Sequence, residues 1–164
     1  MLELLETMPF EQVTIREIAR VAGIGYATFF RHYPSKEALL HDLAAGQIAD
    51  LLQRGLPLLF VADRRQSCAA VFEQVAEHRA LWSALLTGGA ATMLKQEFVD
   101  QAKRVAEQHP GLGGWLPDEL RVIFGVSATV EILAWWLRQE EDVPIARMAE
   151  ILDRLVVAPA MAVD

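Results

Sequence analysis

The sequence predicts an all-helical protein, on three observations. Apolar residues recur at spacings of three and four along nearly the whole chain, no stretch alternates strictly over the length of a strand, and helix-capping signals recur. With 164 residues, 53% of them hydrophobic and 23% charged, the chain can bury a substantial core in one or two domains and is too apolar to be disordered.

The elements follow in order. Thr14-Ile15-Arg16-Glu17 has the form of a capping box, in which the Thr14 hydroxyl accepts from the Glu17 amide and the Glu17 side chain reaches back to the Thr14 amide. The helix it opens ends near Ala22, because Gly23 supplies the left-handed residue that helix C-termini favour. A second short helix fits residues 25–32, stopped by Tyr33-Pro34, since a residue before proline is pushed out of helical geometry. Ser35 caps a longer helix over residues 36–54, and beyond Leu56-Pro57 a capping-box pattern at Asp63-Arg64-Arg65-Gln66 opens another through His78. Residues 81–86 continue as an apolar segment, Gly88-Gly89 break it, and a helix covers residues 90–108 before the loop-like stretch 109–114. Pro117, Asp118 and Glu119 suit the positive end of a helix dipole and open a helix over 120–137, ended by Glu140-Glu141-Asp142. Pro144 opens a last helix through Val157.

The longest stretch without a charged side chain, residues 80–94, is broken by Gly88-Gly89, and no export signal opens the chain. The expectation is a cytoplasmic protein with no membrane partner. One cysteine, Cys68, excludes an internal disulfide and a cysteine-rich zinc site; amid Ser67, Ala69 and Ala70 it reads as inert. His78 and His109 lack partners at ligand spacing, so no metal and no cofactor is called for. The chain also lacks a nucleophile-base pair, a phosphate-cradling glycine loop and a differentiated carboxylate pair, so no enzyme is expected.

The formal charge of −7 argues against a general nucleic-acid coat, but residues 12–36 carry Arg16, Arg20, Arg31 and Lys36 against Glu17 alone. Within that stretch two short helices are joined by a tight turn, with Ala19 and Gly23 four residues apart, which is helix-turn-helix spacing. A small residue at 19 lets the second helix cross closely. Ile15, Ile18, Ala22, Ile24, Phe29 and Tyr33 are expected to close a miniature core, leaving Ala27, Thr28 and Arg31 outward with Tyr26 and Phe30 on the flank, placed to enter a major groove.

Residues 13–19, Val-Thr-Ile-Arg-Glu-Ile-Ala, together with Gly23-Ile24 and the run from Phe29-Phe30-Arg31-His32-Tyr33-Pro34-Ser35-Lys36 to Leu40, resemble the tetracycline-repressor (TetR) family. The resemblance implies a dimeric, all-helical transcriptional regulator, with a helix-turn-helix DNA-binding domain over 1–45 and a helical ligand-binding and dimerisation domain over 46–164. It implies DNA contacts for Arg16, Tyr26, Thr28, Phe30, His32 and Lys36, the last two at phosphate positions; with the outward Ala27 and Arg31 these make the candidate DNA-binding set. Phe30 departs from the usual tyrosine and lacks a hydroxyl for a phosphate, which leaves apolar contact with a thymine methyl or simple packing. Gly25 departs from the usual serine or threonine cap. The family's first helix starts earlier, often after a basic arm, so the resemblance also implies a truncated or misassigned start.

In the body, Phe72, Trp82, Met93, Phe98, Trp115, Phe124 and Trp135 are candidates to line a ligand pocket, each of them equally compatible with core packing. The helix over 120–137 is apolar around most of its circumference, and its Ile123, Val130, Leu133, Trp136 and Leu137 suit an intersubunit four-helix bundle with Met148, Ile151, Leu152 and Leu155. The expected partners are a palindromic double-stranded DNA operator, a second copy of the chain, and an unidentified small-molecule effector that releases a repressor. The rival reading is a helical ligand-binding or interaction protein whose DNA reader is vestigial.

Overall fold

The computed structural model describes residues 1–61, 64–87, 91–107 and 116–160, with the side chains of 54–61, 92 and 93 outside the description, and every regular element among them is helical. α1 (Leu2–Leu5) is a single turn that points Leu4 and Leu5 inward, and it rests against α6. A 3₁₀ turn (Phe10–Gln12) follows the extended Pro9. α2 (Ile15–Val21) begins at the expected capping box: Thr14 Oγ1 accepts from the Glu17 amide at 3.3 Å, and the Thr14 amide donates to Glu17 Oε2 at 2.9 Å. Gly23, at φ +66°, then reverses the chain in the left-handed region that its missing Cβ opens.

α3 (Tyr26–His32) ends where Tyr33 turns extended before Pro34, and Ser35 Oγ accepts from the Ala38 amide at 3.1 Å to start α4 (Lys36–Val61). Pro57 does not end α4, which outlasts the predicted stop at Arg54. The fixed φ of proline is itself helical, so a proline near the end of a long helix does not by itself force termination. At ~1.5 Å per residue, its 26 residues span roughly 39 Å.

α5 (Arg64–Glu77), α6 (Arg79–Thr87), α7 (Ala91–Glu107), α8 (Asp118–Leu137) and α9 (Ile145–Leu152) form the body; the predicted cap at Asp63, the Gly88-Gly89 break and the 109–114 loop lie outside the described residues. α4 packs on α5 and α7, α8 on α6 and α7, and α9 on α5. Ile48, Phe72, Trp82, Leu85, Leu133 and Met148 are fully buried between them, each such side chain contributing about 1.5–3 kcal/mol by leaving water. The Trp136 ring meets Phe72 edge-on at 5.2 Å, its indole N–H donates to the Val143 carbonyl at 3.0 Å, and the Arg79 guanidinium covers its face at 4.7 Å. These three contacts fix the turn between α8 and α9.

The last helix does not run unbroken to Val157. It widens into a π-helical turn (Asp153–Val157) before α10 (Ala158–Ala160). Pro159 lacks an N–H and crowds the carbonyl four residues back, which is where the widening lies. The buried Asp153 carboxylate in this turn meets Arg64 of α5 at 3.2 Å.

Candidate nucleic-acid interface

The head is built on Ile18, Ala19 and Phe29, buried at the crossing of α2 and α3. The Ala19 carbonyl accepts from the Ile24 amide at 2.9 Å, so the turn closes directly over the small residue. Phe29 and Tyr33 share the inner face of α3 with ring centres 6.0 Å apart, and the Tyr33 hydroxyl donates to Asp42 of α4 at 2.7 Å. That hydrogen bond, with lesser contributions from desolvation and the Asp42 charge, raises the Tyr33 pKa above its ordinary value. Of the six residues expected in the miniature core, Ile15, Ile18, Phe29 and Tyr33 face inward, but Ala22 and Ile24 are exposed. The reversal at Gly23 carries both of its neighbours outward, and Val13, Ala19 and Leu40 fill the space instead.

The outer face carries Arg16, Tyr26, Ala27, Phe30, Arg31 and His32, all exposed, with Thr28 half-buried. Tyr26 is 51% and Phe30 45% exposed, and their rings meet edge to face at 5.1 Å. Neither Arg16 nor Arg31 forms an ion pair among the described residues. Lys36 is differently placed. Its ammonium donates to the carbonyls of Phe10, Glu11 and Val13 at 2.9, 3.2 and 2.8 Å, which occupies all three of its N–H groups.

Two short helices cross at a glycine turn, with arginines and aromatics outward, which is helix-turn-helix geometry. Residues 2–43 match the model of the bacterial regulatory proteins of the tetR family. Residues 2–43 therefore form a TetR-type N-terminal domain. The matched domain is the DNA-binding part of bacterial transcriptional regulators. The comparisons give no support to the expectation of a truncated or misassigned start.

Solved structures carry the same fold. A TetR transcriptional regulator from Streptococcus agalactiae superposes with a TM-score of 0.63 at 19% identity, over 94% of this chain and 88% of that one. FadR of Thermus thermophilus, a TetR-family repressor solved with lauroyl-CoA, gives 0.61 at 22% identity over 99% and 91%. PfmR, also of Thermus thermophilus, gives 0.57 at 16% identity over 96% and 94%. A search of curated proteins returns no match.

The candidate pocket residues among those described differ in burial. Phe72, Trp82 and Phe98 are buried, Trp82 against Phe98 with ring centres 5.8 Å apart, whereas Phe124 and Trp135 are 48% and 46% exposed on α8. Trp115 and the Met93 side chain lie outside the described residues. The candidate dimer residues divide likewise. Val130, Leu133, Trp136, Leu137, Met148 and Leu152 are buried within the subunit, Ile123 and Ile151 are half-buried, and Leu155 is 62% exposed.

The face of α8 left in water is the opposite one, a stripe of Leu120, Phe124 and Trp135 that the periodicity alone did not separate from the inner face. Beside it Glu131, Ile132, Trp135, Met148 and Ile151 line a shallow, largely apolar groove of about 310 Å³. Glu131 pairs with Lys95 of α7. By length and composition α8 alone among the described helices is apolar enough to cross a bilayer; here it packs on α6 and α7. Sequence reading also missed the carbonyl contacts of Lys36, which join positions more than twenty residues apart and leave no periodic signal.

Proposed function

We propose that the protein is a homodimeric repressor that holds a palindromic operator and releases it when a small molecule binds the body. The observation that carries this reading is the presence of two separate exposed patches on one chain. Tyr26 and Phe30 lie on α3, and Leu120, Phe124 and Trp135 lie along one face of α8. Large apolar side chains left exposed along one helix face are what a partner subunit covers, and a two-fold partner supplies the second reader that a palindrome requires. The division into a DNA-binding unit over 1–45 and an effector and dimer unit over 46–164 belongs to this reading, as do DNA contacts by Arg16, Tyr26, Ala27, Thr28, Phe30, Arg31 and His32. Cytoplasm, where bacterial DNA lies, is its compartment.

α4 is the lever in this mechanism. It begins in the head, where Lys36 and Asp42 bond head groups, and continues into the body, where the Ala45 carbonyl accepts from Gln101 of α7 at 3.2 Å. A tilt of α4 changes the separation of the two recognition helices from the ~34–36 Å that successive major grooves demand. The effector has to bind the mismatched spacing more tightly by about 1–3 kcal/mol for typical coupling. Lauroyl-CoA, held by the structurally similar FadR, is the first probe. Fluorescence anisotropy on a selected operator tests the reading: a small molecule that lowers operator affinity at least ~5-fold supports it, and one that binds the protein without moving DNA affinity contradicts the release mechanism.

A further inference from the structure

The reading edge of α3 is unusually apolar for a surface that meets DNA. Of the eight large apolar side chains exposed among the described residues, Ile24, Tyr26 and Phe30 fall within seven positions of one another. Single exposed aromatics are ordinary on protein surfaces, but a cluster marks a surface that is covered in use. The Tyr26 and Phe30 rings brace each other at 5.1 Å with planes 71° apart, and Phe29, buried beneath, meets Phe30 at 5.5 Å and 83°. The ledge is thus fixed before DNA arrives. A bare phenyl ring offers nothing to a phosphate oxygen, and the apolar feature that distinguishes base pairs in the major groove is the 5-methyl group of thymine.

We propose that Phe30, braced by Tyr26, reads a thymine methyl at one fixed position in each half-site, making it a specificity-determining residue. The inference rests on the operator-binding reading above. Arg16 and Arg31, exposed and unpaired among the described residues, set the register by charge, while the ledge supplies the sequence preference.

The test uses the full-length protein and an operator selected from random duplexes. Each half-site thymidine is replaced singly by deoxyuridine, which deletes the methyl and leaves base pairing intact, and binding is measured for the wild type, Phe30→Ala and Tyr26→Ala. At one thymine per half-site the replacement weakens wild-type binding about fourfold, the effect of uncovering one methyl group. The same replacement has no effect on Phe30→Ala, whose helical content, read by circular dichroism, stays at the wild-type level because the ring is half exposed. A palindrome bound with no dependence on any thymine methyl overturns this inference and leaves the operator-binding reading intact. A methyl dependence retained in full by both variants overturns it as well. Failure to enrich any palindrome overturns both.

Discussion

The ammonium of Lys36 lies 4.6 Å from the centre of the Phe10 ring and donates to the Phe10 carbonyl at 2.9 Å. Glu11 and Val13 receive its other two N–H groups. The first residue of α4 therefore staples the lever helix to the 3₁₀ turn that precedes the reader. The family resemblance assigns this lysine to a phosphate, while the geometry gives it an internal occupation.

Lys36→Ala leaves three carbonyls without their charged donor and is expected to lower folding stability by about 2 kcal/mol, read by urea unfolding. It should leave the salt dependence of DNA binding unchanged. Arg31→Ala, by contrast, should flatten the slope of log K against log salt by about 0.9, one phosphate's worth. Equal flattening by the two variants would return Lys36 to the phosphate.

The Thr14–Glu17 capping box makes a pH-dependent contribution. Hydrogen bonds from the Thr14 hydroxyl and then its amide hold the Glu17 pKa below the ordinary carboxylate value, with a smaller effect from the Arg20 charge. A pKa lowered by folding means stability that is present above the unfolded value and lost as pH falls through the folded one. Thr14→Ala should destabilise by about 1 kcal/mol near neutrality. The gap between variant and wild type should narrow as the carboxylate is protonated, and denaturation curves that keep it constant down to acid pH would contradict the assignment.

The helix-turn-helix was legible because its signals are local. A capping box, a turn glycine, a residue before proline and a serine cap each act within four residues, and the structure has all of them. What stayed hidden depends on which side other elements occupy. Ile24 looked like core until Gly23 turned it outward, and α8 is apolar on so many sides that its inner and outer faces are separated only by where α6 and α7 pack. The run through Pro57 was hidden because a proline announces a stop that a helix can override.

Cys68 should be slow to react in the native protein. Burial, reinforced by the Asp153 charge and opposed by Arg64, pushes its thiol up to about 11, so thiolate is scarce at neutral pH. Iodoacetamide should modify it at a rate set by unfolding, rising steeply in denaturant. Rapid native-state labelling would show a thiol open to solvent.

The α8 stripe predicts the effect of a charge. Phe124→Glu or Trp135→Glu places a carboxylate where a partner would cover it, without disturbing the subunit core, since both side chains are about half exposed. The dimer dissociation constant should rise about 30-fold or more, as for a truncated hot-spot residue. Sedimentation equilibrium measures it, and unchanged association in both variants would move the interface elsewhere.

The most direct test of a dimeric operator reader is selection of random duplex DNA by the purified protein, followed by sedimentation of the enriched complex. The account predicts two inverted half-sites about one helical turn apart, or a multiple of that distance, occupied by a complex whose readers are two-fold related. Absence of enrichment, or a single half-site held by one chain, would contradict it.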